Sequence, residues 1–204
     1  MLYTINPENP QQRKVDQVVD VLKKDGVVIY PSDTIYALGC SIYSSKGLER
    51  VCRIRGIKPK EANFSFICKD ISEVSEFTRP IPNPHFKLMK RLTPGPYTFI
   101  LNANNTLPKL FQNKKKTIGI RIQNTPVVHQ LLEGLGHPLL SASLRNDDEI
   151  TEYYTDASVI YDDFNKLVDV VIDGGAGENI PSTVIDLTGD EPVVLREGLG
   201  TIEW

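Results

Sequence analysis

The chain has 204 residues, 40% of them hydrophobic and 24% charged, which is enough for one good-sized domain with a buried core and is ordinary for a soluble protein. No apolar run approaches the roughly 18 residues of a membrane span, the start at Met1 lacks the cationic and apolar blocks of a secretory signal, and neither the three cysteines nor the three histidines show metal-ligand spacing; a cytoplasmic protein with reduced thiols is expected. The formal net charge of −3 hides a dipole, with residues 1–140 at net +9 and residues 141–204 at net −12, and such a positive region suits an anionic ligand.

Pro10 leads into Val15, Val18, Val19 and Leu22, spaced three and four apart, so an amphipathic helix is predicted that Gly26 ends. Val27–Tyr30 reads as a short buried strand stopped by Pro31. Lys46–Arg55 is a second helix with Leu48, Val51 and Cys52 on its apolar face, and Phe64–Cys68 the next strand. His85–Leu92 is a basic helix that runs into the turn Thr93-Pro94-Gly95-Pro96. It lies in a stretch between Glu76 and Glu133 that holds nine lysines and arginines and no acid. Tyr97–Leu101 and Thr117–Ile122 are extended, and Thr125 as N-cap with Pro126 after it opens a helix ending near Gly134 or Gly136. Pro138–Ser143 is a strand and Asp156–Lys166 a helix, followed by strands at Val168–Ile172, Thr183–Leu187 and Val193–Arg196. Helices and strands alternate without a linker or repeat, so one α/β-type domain spanning 1–204 is expected, built on a twisted mixed sheet.

The common nucleotide and hydrolase signatures are absent: there is no G-x-x-x-x-G-K-[ST], no G-x-G-x-x-G after the first strand, no G-x-S-x-G and no H-E-x-x-H. The glycines of 174–177 could cradle a phosphate or form a plain turn. More informative is Tyr30-Pro-Ser-Asp-Thr-Ile-Tyr-Ala-Leu-Gly-Cys40, where a buried strand offers Ser32, Asp33 and Thr34 at its carboxyl end, the end at which ligands dock in open α/β sheets. Arg53–Lys60 leaves a helix with four cations. Leu140–Arg145 leaves a strand with two hydroxyls and a guanidinium, and Pro181-Ser182-Thr183 enters a strand. Each has a local explanation in a solvated helix end or a satisfied turn. Together they point to a shared anion pocket.

With these segments in this order, the chain resembles the threonylcarbamoyl-AMP synthase family, the YrdC/YciO-like proteins, and most closely their YciO-like branch. The resemblance runs from about Asn6 to Glu203 and rests on Gly26–Gly39, Thr93–Phe99, Thr117–Arg121, Ser182–Asp186 and Leu195–Gly198. It implies a three-layer α+β domain of YrdC-like fold, its sheet flanked by helices around a large basic concavity. The activity it implies is synthesis of L-threonylcarbamoyl-adenylate from L-threonine, bicarbonate or carbon dioxide, and ATP with Mg²⁺, for tRNA modification. Some relatives are also described as binding tRNA or double-stranded RNA.

By position, the resemblance implies that Thr34, Arg121, Ser141 and Ser182 line the amino-acid site, with Arg121 on the carboxylate. It further implies that Arg55, Lys58, Asn63, Thr117, Ser143, Arg145 and Arg196 hold the nucleotide. The chemistry needs cations more than acid–base groups, so Arg55, Lys58 and Arg121 are the expected catalytic residues, stabilising charge on the departing pyrophosphate. The chain departs from the family pattern in four places, one of them Tyr36-Ala37-Leu38-Gly39 where the family has Tyr-Gly-Leu-Gly. Arg55 and Lys58 stand where the family has Lys-x-Arg, Ser143-Leu144-Arg145 where it has Ser-x-Asn, and Cys68 where histidine is common.

Overall fold

The computed structural model of the chain describes residues 1–59, 64–108, 111, 116–144 and 154–202. Among the described residues, ten strands and six helices follow one another as β1 (Leu2–Thr4), α1 (Gln12–Lys23), β2 (Val28–Tyr30), β3 (Ala37–Ser41), α2 (Ser45–Ile54), β4 (Ser65–Ile67), α3 (Ile71–Phe77) and α4 (Asn83–Leu92). They continue as β5 (Tyr97–Asn102), β6 (Thr117–Arg121), α5 (Pro126–Leu135), β7 (Leu139–Ser143), α6 (Ala157–Phe164), β8 (Val170–Asp173), β9 (Thr183–Asp186) and β10 (Val193–Arg196). The strands form one mixed sheet in the order β1-β8-β2-β3-β7-β4-β6-β5-β9-β10.

Three elements go beyond the sequence reading. The edge strand β1 has only three residues and pairs in parallel with β8. All five residues of β3 are buried, so it has no alternation to mark it as a strand. The short α3 opens with Asp70, whose carboxylate accepts the Glu73 N–H at 2.9 Å, while Glu73 accepts the Lys69 N–H at 2.7 Å. This reciprocal cap at the helix start was readable as Asp-x-x-Glu.

The sheet separates two cores. On one face, Val15, Val18, Val19 and Leu22 of α1 pack with Val127, Val128, Leu131, Leu132 and Leu135 of α5 over β1, β8 and β2. The helices meet closely, since a Cβ on Gly134 would lie 2.7 Å from Val19 Cγ2. Gly136 ends α5 at φ +73°, a left-handed backbone that favours glycine. The other face packs against α2, α3, α4 and α6 through Leu48, Val51, Val74, Phe77, Met89 and Ile160. Two helix layers around a mixed sheet are the expected α/β architecture. Among the described residues no helix is long and apolar enough to cross a membrane.

Candidate ligand site on the polar face of the sheet

Residues directly opposite each other on neighbouring strands share a face, so the register alone sorts the central side chains. Gly39 pairs with Ser141, Ser141 with Ser65, and Ser65 with Gly119. One step along, Leu139 pairs with Ile67 and Ile67 with Arg121. In the other direction Ala37 pairs with Ser143, and Thr117 begins β6 opposite Asn102. Successive residues in each strand turn to the opposite face, where Phe64, Phe66, Ile118, Ile120, Leu140 and Ala142 belong to the larger core. The α1–α5 face therefore carries rows of hydroxyls and glycines where the chain moves from β3 towards β5. Ser65, Thr117 and Ser143 are half-buried there, while their neighbours on the core face are buried.

Arg121 closes this polar face. Its Nη2 donates to Asp33 Oδ1 at 2.6 Å and to Thr34 Oγ1 at 3.0 Å, both groups lying just past the end of β2. The turn that presents them is held locally, with Ser32 Oγ donating to the Ile35 carbonyl at 2.6 Å and accepting the Thr34 N–H at 3.1 Å. Burial raises the Asp33 carboxyl above its usual range, opposed by the Arg121 guanidinium and the Asn124 main-chain N–H. Tyr30 reaches over Gly39 and donates its hydroxyl to Ser141 Oγ at 2.8 Å. Complete burial pushes the Tyr30 phenol up to about 12.

Farther along the sheet, Ser182 precedes β9 and its Oγ lies 2.8 Å from Thr98 Oγ1. Arg196 in β10 donates Nε and Nη2 to the Ser182 carbonyl at 3.2 and 2.9 Å. Gly198 allows this close return, because a Cβ there would sit 2.3 Å from the Pro181 carbonyl oxygen. Arg196 thus holds its partner through main-chain contacts that a smaller side chain could not make.

Of the residues expected from sequence, Thr34 and Arg121 touch, and Ser141 lies on the same face one register step away. Ser143 and Thr117 occupy that face on the side away from Arg121, at the end of β7 and the start of β6. Arg196 and Ser182 are hydrogen-bonded to each other. Arg55 is the half-buried C-cap of α2, and Lys58 is exposed three residues on, in the connection that leads from α2 to β4. Asn63 and Arg145 lie outside the described residues.

Sequence reasoning gave no role to Tyr30, Thr98 or Gln123, and placed Asp33 at the ligand-docking end of a strand without naming its partner. Tyr30 looked like the last core residue of a strand. Gln123 is buried, and its amide makes no hydrogen bond among the described residues. A cavity of about 650 Å³ opens at the carboxyl ends of β4 and β6, lined by Lys69, Lys90, Gln123, Asn124, Thr125 and His129. Thr125 is the N-cap of α5 by position only; its hydroxyl is buried and caps nothing.

The arrangement offers a guanidinium, a carboxylate and several hydroxyls on one face, with a second guanidinium at its edge. Such a surface can bind and orient a ligand carrying carboxylate and hydroxyl groups. Among the described residues no cluster of three His, Cys, Asp or Glu side chains could hold a metal. The three cysteines are buried, and burial raises all three thiols, Cys40 to about 12. They are poor nucleophiles in the folded chain.

The Sua5_yciO_yrdC family model, described as telomere recombination, matches residues 20–198. The chain is 47% identical over 203 residues to the YciO protein of Escherichia coli K12, covering 98% of this chain and 97% of that one. It is 25% identical over 192 residues to a threonylcarbamoyl-AMP synthase of Pyrococcus abyssi, covering 94% of this chain but 56% of the relative. The crystal structure of E. coli YciO superposes with a TM-score of 0.90 at 44% identity, covering 98% and 97% of the two chains. Pyrococcus abyssi Sua5 complexed with L-threonine has the same fold, with a TM-score of 0.86 at 24% identity over 97% of this chain and 57% of that one.

Proposed function

Because the chain belongs to the Sua5/YciO/YrdC family, we propose that it makes L-threonylcarbamoyl-adenylate, or a closely related acyl adenylate, from L-threonine, bicarbonate or carbon dioxide, and ATP. One observation carries this reading: Arg121, Thr34 and Ser141, far apart in the chain, converge on one face of the sheet. A related fold holds L-threonine in Pyrococcus abyssi Sua5, and the threonylcarbamoyl-AMP synthases among the relatives supply the reaction class.

In this reading Arg121 takes the threonine carboxylate, and Thr34, Ser141 and Ser182 surround the amino acid. Ser143 stands two residues beyond Ser141, roughly 7 Å at strand rise, and Thr117 four residues before Arg121, roughly 13 Å, both on the side where the nucleotide would lie. Arg196 and Arg55, with Lys58, meet the phosphates of ATP, which brings Mg²⁺ as part of the substrate. The free amine of threonine condenses with bicarbonate, releasing water, or adds to carbon dioxide, releasing a proton, to give a carbamate. One carbamate oxygen then attacks the α-phosphorus in line, the bond to the β-phosphate oxygen breaks, and pyrophosphate leaves with its charge stabilised by the cations. Asn63 and Arg145 are proposed to complete the nucleotide side. The domain assignment 1–204 belongs to the same proposal.

The test is pyrophosphate release from ATP. The expected result is release that depends on both threonine and bicarbonate and is lost in Arg121→Ala. Release no faster than in that variant would remove the reading.

A second reading is favoured by Lys87, Lys90 and Arg91, which are exposed on the acid-free helix α4. It takes the chain as a tRNA or double-stranded RNA binder that keeps the fold without the chemistry. Binding of a short RNA duplex that weakens steeply with salt, in a protein without adenylate-forming activity, is its signature.

A further inference from the structure

Among the described residues, the Asp33–Arg121 ion pair differs from every other. Its side chains are 10% and 8% exposed, whereas each remaining pair leaves about a third or more of both partners in solvent. A buried pair is weak evidence for stability, because the desolvation of two charges offsets their attraction and apolar packing often serves as well. A site for simple anions is also poorly served, since a carboxylate 2.6 Å from the guanidinium competes with any anion that arrives.

The pair has bonding capacity left over. Among the described residues, Asp33 Oδ2 and Arg121 Nε make no hydrogen bond and lie out of solvent contact. Buried polar atoms of this kind usually have partners, so an orphan acceptor and an orphan donor on two adjoining groups call for an explanation. A ligand bearing both charges supplies it, with an ammonium for the carboxylate and a carboxylate for the guanidinium. Engagement takes a shift of the Pro31–Tyr36 segment, which is tied down by Ser32 Oγ on the Ile35 carbonyl and by the Glu178 N–H on the Thr34 carbonyl at 3.1 Å.

We propose that Asp33 is a specificity-determining residue, which makes the Arg121 subsite select zwitterionic α-amino acids over simple carboxylates by receiving the ligand's ammonium group. This rests on the threonine-binding reading above and adds to it the reason an amine is required. Arg121 alone would bind any small carboxylate. Asp33 turns that affinity into discrimination by penalising ligands of one sign.

The experiment is equilibrium binding of L-threonine and of 3-hydroxybutanoate, which lacks the amine, to the wild-type chain and to Asp33→Asn. The wild type is expected to favour threonine by about tenfold or more, the worth of one charged hydrogen bond. In Asp33→Asn the preference should fall below about threefold, because threonine binds more weakly and 3-hydroxybutanoate more tightly once Arg121 loses its competing carboxylate. Equal weakening of both ligands would reduce Asp33 to a structural support and overturn the proposal. So would a wild type that binds both equally, although that result leaves the Arg121 site standing. A wild type that binds neither removes the threonine reading itself and this proposal with it. The wild-type comparison needs no variant, so a poorly folded Asp33→Asn leaves the test intact.

Discussion

The Tyr30 ring lies against the backbone of Gly39, and its hydroxyl reaches past that glycine to Ser141 Oγ at 2.8 Å. A Cβ on Gly39 would come within 2.8 Å of Tyr30 Cε1 and 3.1 Å of Leu139 Cδ2. The missing side chain at Gly39 is therefore what lets a buried phenol orient a hydroxyl two strands away.

Gly39→Ala tests this relationship. Neither the ring nor Leu139 has room to retreat in a filled core, so a loss of about 1–3 kcal/mol is expected by urea denaturation. Threonine affinity should fall with it, because the displaced ring carries the Ser141 hydroxyl out of place. Tyr30→Phe is the control. It keeps the ring and deletes only the hydrogen bond, at about 1 kcal/mol. If Gly39→Ala behaves no worse than Tyr30→Phe, the ring is not pinned by the glycine.

The same phenol makes stability depend on alkaline pH. Unfolded, Tyr30 ionises near its ordinary value of 10.0; folded, burial holds it protonated to about 12. Below pH 10 both states keep the proton, and the group adds no pH dependence. Above it the unfolded chain releases a proton that the native chain retains, so native stability falls by up to about 1.4 kcal/mol per pH unit until about pH 12. The advantage of the wild type over Tyr30→Phe in urea melts should shrink from pH 10 upward. A difference that stays constant to pH 11 would contradict the raised phenol.

The parts of this site that were legible in sequence are those whose chemistry is local. Thr34 sits in a strand end rich in hydroxyls, and Arg121 closes an alternating strand. Pro126 and Gly136 bracket α5 as their backbone preferences require. Hidden from sequence were relationships that only the strand order creates. Asp33 follows β2 and Arg121 ends β6, with β3, β7 and β4 between them in the sheet, so their 2.6 Å contact has no signature in spacing. Strand β3 escaped because burial on both faces removes alternation, and Thr125 showed the opposite failure. Its residue type and position mark an N-cap, yet its hydroxyl does not cap the helix.

Removing one partner of the buried pair should cost more than removing both. Arg121→Ala strands the Asp33 carboxylate in a buried site, and a loss of about 3–5 kcal/mol at neutral pH is expected. Asp33→Ala/Arg121→Ala should recover part of it. The sign of the pH dependence follows from the raised carboxyl. Without the guanidinium that opposes burial, Asp33 rises further, so its folded value lies above its unfolded one. Protonation then favours the native state, and the Arg121→Ala deficit should narrow as pH falls through that folded value. Urea denaturation at pH 7 and pH 5 measures both effects. A double variant as unstable as Arg121→Ala at both pH values would mean that the lost packing, not the orphaned charge, sets the cost.

The Arg196 guanidinium couples the two halves of the proposed site. It donates through Nε and Nη2 to the Ser182 carbonyl, and its Nη2 lies 3.4 Å from Ser182 Oγ, whose other neighbour is Thr98 Oγ1 at 2.8 Å. A lysine can supply the charge but not the planar fork that grips one carbonyl with two nitrogens. Arg196→Lys is therefore expected to weaken ATP binding by about tenfold or more, as loss of a charged hydrogen bond would, and to weaken threonine severalfold through a loosened Ser182. Calorimetric titration of each ligand separates the two effects. Threonine affinity unchanged in Arg196→Lys would show that Thr98 alone positions Ser182, and would confine Arg196 to the phosphates.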